Sequence, residues 1–565
     1  MCGIFASVSR RKHLPLSAAL QEYLANRGPD HTGNVLKTIN PSPDDPELCL
    51  YLTCVSTVLS LRGQGVTPQP LVSQTAGSIL CWNGEAWKIE GHAVAGNDGA
   101  RVLAALESAV GLEATLDVLR AVEGPFAFIY YDPRDGGRIY FGRDRLGRRS
   151  LLVHDQGDLI LSSVADPGLD GWAEVEADGV YVLDVGSLGG DVHAGTITMR
   201  MAERHGWLPA GYEDYMSNIG LFNTTLPPDQ RRPRYPESQS VESLREHLVR
   251  SLSLRVLNVP RPHLDAAHPV DTRIAVLFSG GLDCTVVARL ASELLPPDQG
   301  IDLLNVAFEN PRIAATLKPA NDDPTAIYEL CPDRITGRKS FGELCRVCPE
   351  RQWRFISSHR SQVVALMHPH NTEMDLSIAY ALYFAARGRG LAETAAETNH
   401  AAPYEYATTA RVLLSGLGAD ELFGGYVRHA TAFSRRGYHG LIEELKLDVG
   451  RLGKRNLGRD DRVMSHWGRE IRFPFLDENL VKWALEAPVW EKCDFAVSAS
   501  AVEGEDGGEV GGNAGVEPDK RVLRLLALQL GMASVSGEKK RAIQFGSRTA
   551  KMESGKIKGT HLITR

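Results

Sequence analysis

No stretch of this 565-residue chain approaches the roughly 20 uninterrupted apolar residues that span a bilayer, because Gly, Pro or a charged residue cuts every hydrophobic run. A membrane is therefore not expected as a partner. Basic charge is not in excess: 62 Lys plus Arg stand against 70 Asp plus Glu, a formal net charge of -8, with no long basic run, so nucleic acid is not expected either. Cysteine is sparse. Nine thiols are scattered along the chain and no secretory h-region follows the first residues, which argues against a disulfide framework and for reduced thiols in a cytoplasmic protein. There is no repeat of about 20 to 50 residues and no GxxxxGK[ST] phosphate loop.

Hydrophobic residues make up 43% and charged residues 23%, the balance of an ordinary globular protein with material for several cores. At roughly 100 to 200 residues per domain, about three to five structural units are expected. Short apolar runs between turn residues, at 126–131, 138–141, 151–153 and 180–183, read as strands, and residues 16–24 and 101–119 carry helical periodicity. The first unit, 2–205, is thus α+β. A Pro-rich stretch at 206–240 reads as a linker, and a parallel α/β unit follows over 241–555, opening with an amphipathic helix at 241–255 and an apolar strand at 273–278. Residues 496–519, Gly-rich and acidic, read as a disordered insertion.

Cys2 follows the initiator Met. Removal of Met1 would leave a thiol beside a free α-amine whose pKa, about 7.7 to 8.0, lets it accept the thiol proton at neutral pH. One residue would then supply nucleophile and base, although taken alone Cys2 is equally an ordinary buried cysteine before a first strand at 3–8. The motifs CGIF at 2–5, RGPD at 27–30 and NGE at 83–85 occur in an order that resembles class II glutamine amidotransferases. That resemblance implies an N-terminal nucleophile hydrolase sandwich (αββα) in which Cys2 attacks a glutamine carboxamide, with the Asn83 side chain and the Gly84 backbone N–H as oxyanion donors. Arg62 would hold the α-carboxylate and Glu85 or Asp98 the α-ammonium, with a surface ion pair for Arg62 and a turn role for Asp98 as the plainer alternatives. RDRLG at 143–147 resembles a structural segment of the same family, and would otherwise be a hairpin with charged turn residues.

In the second half, SGGLDC at 279–284 lies between the apolar strand and a helical stretch. Gly280 and Gly281 would let the backbone approach an anion at the positive end of the helix dipole. The arrangement resembles the pyrophosphate motif of ATP pyrophosphatases. SGLGADE at 415–421, then GGY at 424–426 and RFPFLDENL at 472–480, resembles the asparagine synthetase family, and PDRITGR at 332–338, NLGRDDR at 456–462 and QFGSR at 544–548 resemble a eukaryotic branch of it. The resemblance implies ATP and Mg²⁺ as cofactors: Ser279, Gly280, Gly281, Asp283, Ser415, Gly416 and Asp420 around the phosphates, Leu277 and Val306 along the nucleoside, and Asp283 and Asp420 as tentative metal ligands. Each aspartate alone would be a helix N-cap.

Two positions depart from that family. Leu417 stands where asparagine synthetases carry a Glu that assists proton removal, with Glu421 and Glu373 as replacement candidates, and Ala542 stands where a Lys is expected, next to Lys540 and Arg541. Losing one general acid or base removes about 10² to 10⁴ in rate. The leading expectation is a ligase that takes glutamine, aspartate and ATP as small-molecule partners and carries ammonia along a dry passage to make asparagine. A homodimer is the assembly that comes into question. The alternatives are a synthetase-deficient regulatory or interaction protein that keeps both folds, and an adenylating synthetase acting on another carboxylate, such as a β-lactam-forming enzyme. Cys345 and Cys348, near Cys331, His368 and His370, are read as unligated thiols rather than a zinc site, and 337–340 as a surface loop.

Overall fold

The computed structural model describes residues 2–40, 49–190, 196–209, 211–212, 214–228, 236–262, 270–308, 326–358, 366–394, 403–454, 456–496 and 516–549. Most of the expected insertion at 496–519 therefore lies outside the described residues, as does part of the 206–240 stretch. The chain forms two compact units: Met1–Glu213 with Val363–Asn371 and Leu452–Glu470, and Asp214–Gln362 with Thr372–Arg451 and Ile471–Arg565. These units are not contiguous in sequence, unlike the expected 2–205 and 241–555. The physical reason is charge: Leu452–Glu470 supplies Asp461, Arg462 and Glu470, which pair with Arg27, Glu174 and Arg149 of the first unit. The linker also starts later than expected, since Trp207 is 1% exposed and its indole N–H donates to Ala177 O at 3.2 Å.

The first unit contains two six-stranded sheets. One runs in the order Ala173–Glu174, Leu152–His154, Leu159–Ser162, Gly3–Ser9, Leu50–Val58, His31–Ile39, and the other Glu203–Gly206, Gly179–Asp184, Arg138–Arg143, Phe126–Asp132, Ile79–Gly84, Leu71–Val72. All these pairings are antiparallel. Side chains alternate across each strand. Ile4, Ala6 and Val8 meet Ile79, Cys81, Ile129 and Phe141 in one core, while Phe5 packs outward with Leu20 and Leu24 of the helix Ala18–Arg27. On the opposite side Leu80, Trp82, Phe128 and Tyr130 pack with Val102, Leu106, Leu116 and Leu119. The layers of this unit thus run helix, sheet, sheet, helix. The periodic stretch at 101–119 is two helices, Asp98–Ser108 and Leu112–Ala121, because Gly111 sits at φ +87° between them.

The RDRLG segment is not a charged surface hairpin. Arg143, Asp144 and Arg148 are all buried, and Asp144 accepts from the backbone N–H groups of Phe126, Leu146 and Arg148 while the chain passes from one sheet to the other.

The second unit holds a seven-stranded sheet ordered Tyr404–Ala407, Arg389–Thr394, Trp353–Ser358, Ile301–Val306, Ile274–Leu277, Val412–Leu414, Glu470–Arg472. Its four central strands, from Trp353–Ser358 to Val412–Leu414, are parallel. The first of them in sequence, Ile274–Leu277, lies between Ile301–Val306 and Val412–Leu414, so strand order reverses there and the switch-point crevice opens at its carboxyl end. The segment expected as a surface loop at 337–340 is instead part of the helix Pro332–Val347, with Gly337 and Ser340 buried. Among the described residues no helix is long and apolar enough to cross a membrane.

Candidate active site

The strand Gly3–Ser9 begins immediately after Cys2, and the strand Ile79–Gly84 ends at the residues expected to serve it. Cys2 N–H donates to Asn83 Oδ1 at 3.1 Å. That bond fixes which end of the Asn83 amide faces Cys2 N, so the amide nitrogen Nδ2 points elsewhere. Asn83 is fully buried and Nδ2 has no hydrogen-bond partner among the described residues. Gly84 has no space for a side chain: a Cβ there would lie 2.2 Å from Pro125 O and 2.5 Å from Phe126 Cα.

Cys2, Arg62, Gly84, Glu85 and Asp98 line one cleft together with Gln69 and Glu470. Arg62 Nη1 donates to Ala86 O at 2.9 Å and stands 3.4 Å from Glu85 Oε2, and Nη2 donates to Val94 O. Asp98 lies in the first turn of its helix, but the cap is Asn97, and Asp98 Oδ2 accepts from Trp82 Nε1 at 3.1 Å and from Ala86 N–H at 2.8 Å. Burial pushes the Asp98 carboxyl up, opposed chiefly by Arg62. Burial likewise pushes the Cys2 thiol up. The positive charge of the chain's N-terminus and a backbone hydrogen bond at Leu59 oppose this, while Asp98 and Glu470 add to it.

Beneath Cys2 lies a group that the motifs do not mark. Arg27, the Arg of RGPD, donates through Nε to Cys2 O at 3.3 Å and through Nη2 to Asp461 Oδ2 at 2.8 Å. Asp461 also accepts from Ser150 N–H at 3.1 Å and lies 3.6 Å from Arg149, which in turn lies 3.6 Å from Glu470. In NLGRDDR the signal for this group is a run of clustered charges between apolar residues.

In the second unit the turns after Leu277 and Leu414 meet because their strands are parallel neighbours, with Val276 opposite Leu414. Gly416 makes the approach close, since a Cβ there would lie 2.8 Å from Asp283 Cβ. Lys520 Nζ reaches both carboxylates, 2.8 Å from Asp283 Oδ1 and 3.0 Å from Asp420 Oδ1, and Lys540 Nζ lies 3.0 Å from Asp420 Oδ2. Burial alone would raise Asp420, but Lys520 and Lys540 outweigh it and hold the carboxyl below its ordinary range. Lys520 is correspondingly held charged by the two aspartates against its own burial. Neither aspartate is a helix N-cap: Gly281 and Gly418 hold those positions.

Of the glycine pair, only Gly281 keeps open space, its virtual Cβ meeting nothing but Ser279 Oγ at 3.4 Å. Gly280, at φ +80°, is required by packing, since its Cβ would lie 2.5 Å from the Gly337 backbone. Gly280 is thus fixed by packing on its Cβ side, while Gly281 is open on that side. Leu277 and Val306 end the adjacent strands, and Ser415 is buried, its N–H donating to Arg472 O at 3.0 Å. Leu417 N–H donates to Ser415 Oγ at 3.2 Å, so this position closes the turn with no carboxylate. Near the missing lysine, Arg541 is committed to Thr336 Oγ1 at 2.9 Å, and Lys540 is the cation that reaches the acidic turns.

These two centres define an amidotransferase-type unit joined to a synthetase-type unit, and comparison with known proteins agrees. The family described as glutamine amidotransferase domain matches residues 1–173, and the family described as asparagine synthase matches 381–443 and 435–524. The chain is 33% identical to asparagine synthetase domain-containing protein 1 of Mus musculus, over 99% of this chain and 98% of that protein. For the Homo sapiens protein of that name the identity is 32%, over 98% and 96%. It is 22% identical to asparagine synthetase [glutamine-hydrolyzing] 1 of Saccharomyces cerevisiae, over 87% of this chain and 77% of the yeast protein. The chain belongs to the asparagine synthetase domain-containing protein 1 family.

Proposed function

We propose that the protein is a glutamine-dependent asparagine synthetase. The observation that carries this reading is the Cys2–Asn83 pairing, in which the amide oxygen is spent on the nucleophile's nitrogen and the amide N–H is left for a developing oxyanion. With Met1 removed, the Cys2 α-amine takes the thiol proton and the sulfur attacks the glutamine carboxamide carbon. The Asn83 Nδ2 and Gly84 N–H donors stabilise the tetrahedral oxyanion. The C–N bond then breaks, the leaving nitrogen takes the proton from the amine, and ammonia and a thioester result. Water cleaves the thioester to glutamate and regenerates the thiol. Arg62 orients the substrate carboxylate, and Glu85 or Asp98 the ammonium.

At the second centre the aspartate side-chain carboxylate attacks the α-phosphorus of ATP, pyrophosphate leaves, and ammonia displaces AMP to give asparagine. Asp283 and Asp420 converge on one cation, a position held by the Lys520 ammonium, and that donor set also fits the Mg²⁺ that accompanies ATP. Such an ion, when bound, neutralises charge on the pyrophosphate. Lys520 and Lys540 offer the same service from the protein.

Leu417 favours a second reading, a protein that keeps both folds but not efficient amidation. Glu421 is the available carboxylate: burial pushes it up and Tyr426 Oη donates to it. One experiment separates the readings. The purified protein and its Cys2→Ala variant are assayed for asparagine with glutamine or ammonium as donor, in the presence of ATP, Mg²⁺ and aspartate. A synthetase makes asparagine from both donors and loses only the glutamine-driven product in Cys2→Ala. Absence of product from either donor sinks the synthetase reading.

A further inference from the structure

The Cys2 sulfur has a side-chain neighbour that the amidotransferase motifs do not name. Gln69 lies in the stretch between Arg62 and the strand Leu71–Val72 and is 6% exposed. Its amide orientation is settled by the surrounding backbone. Trp82 N–H donates to Gln69 Oε1 at 2.9 Å, so the oxygen is committed and Nε2 must be the atom on the other side. That nitrogen stands 3.8 Å from Cys2 Sγ in donor geometry. The backbone of Gln69 is pinned as well. Gly33 approaches so closely that a Cβ on it would lie 2.3 Å from Gln69 O. Trp82 thus uses its backbone N–H to orient Gln69 and its indole N–H to hold Asp98, both in the cleft of the nucleophile.

We propose that Gln69 is a catalytic residue of the Cys2 centre, its amide N–H donating to the sulfur so that the thiolate forms in a site otherwise hostile to negative charge. This rests on the reading of Cys2 as the nucleophile. Such a donor counters what acts against the thiolate. Removal of the sulfur from water disfavours it most, and Asp98 and Glu470 add to this; a backbone hydrogen bond at Leu59 opposes them. A neutral amide cannot take the thiol proton, which remains the task of the α-amine. It does favour the charged form of its acceptor, and so sets the pH at which the thiolate becomes available. Once the sulfur is acylated it carries no charge and this stabilisation is lost, which also favours return to the free enzyme.

The test reads the sulfur directly. The mature full-length protein, Gln69→Met and Gln69→Glu are alkylated with iodoacetamide from pH 5 to 10, and modification of the N-terminal peptide is followed by mass spectrometry. Gln69→Met removes the donor. Gln69→Glu keeps the acceptor for Trp82 N–H, and with it the packing, but turns a second oxygen toward the sulfur. The expected apparent thiol pKa rises by about one unit in Gln69→Met and further in Gln69→Glu. A packing role alone would alter melting temperature without ordering the three titrations in this way. Titrations that coincide, or a Gln69→Glu curve shifted to lower pH, overturn the proposal. Failure of the parent reading is separate: it shows as wild-type protein without Cys2-dependent glutamine hydrolysis, whatever the alkylation curves do.

Discussion

Arg27 Nη2 lies 2.8 Å from Asp461 Oδ2, a bond between two side chains that are 1% and 0% exposed and 434 positions apart in the chain. Removing one partner of a buried pair leaves the other charge without compensation, at a cost of about 3–5 kcal/mol. Asp461→Ala should therefore lower the calorimetric melting temperature sharply. Glu246→Ala, which breaks a pair 72% and 51% exposed, should cost less than about 1 kcal/mol. Equal shifts in the two variants would remove the buried pair from any account of stability.

If Asn83 Nδ2 is an oxyanion donor, Asn83→Ala acts on the barrier and little on substrate binding. The kcat of glutamine hydrolysis should fall by about 10² to 10³ while KM stays within a few-fold. A rise in KM at unchanged kcat would assign Asn83 to ground-state binding instead.

If Lys540 rather than Arg541 stands in for the lysine missing at 542, Lys540→Ala should reduce aspartate-dependent exchange of pyrophosphate into ATP at least about tenfold. Arg541→Ala, which frees Thr336 and removes a positive charge from near Asp333, should leave exchange within about threefold. The reverse ranking would show that Arg541 leaves Thr336 when ATP binds.

Lys492 is buried, donating to Ala484 O and lying 5.0 Å over the Phe222 ring, and burial pushes its pKa down to about 8. An unfolded lysine titrates near 10.4, so between pH 8 and 10.4 the unfolded chain binds more protons and wild-type stability rises with pH. Below pH 8 the full penalty of a buried ammonium applies. Lys492→Met should thus be more stable than wild type by about 1–3 kcal/mol at pH 7, with the gain vanishing by about pH 10.5. Denaturant melts at the two pH values check this; a pH-independent difference would mean that packing, not charge, governs the site.

Much of the layering was legible locally. Short apolar runs at 3–8 and 126–131 placed strands within one or two residues of Gly3–Ser9 and Phe126–Asp132, because both faces of each strand are buried. Asp283 and Asp420 come together because each follows a strand of one parallel pair. Other features had no local signal. A glycine pair does not disclose which backbone comes close, and the Gly337 backbone beside Gly280 had no local mark. Lys520 borders an acidic, Gly-rich stretch read as disordered up to 519, so its place between the two aspartates was hidden by its neighbours. Gln69 and Asp461 are polar residues without a period, identified only by what touches them from elsewhere in the chain.

The wide separation of Arg27 from Asp461 also has a temporal side. Ribosomes add about 5 to 20 residues per second, so 434 residues correspond to about 20 to 90 s between the emergence of the guanidinium and that of its carboxylate. For that interval the nascent amino-terminal layers carry Arg27 and Arg149 without the counter-charges that later bury them. Translation that stops before position 461 would yield a polypeptide with most of the two amino-terminal sheets but no partner for Arg27 beneath Cys2, a natural client for chaperones and proteases.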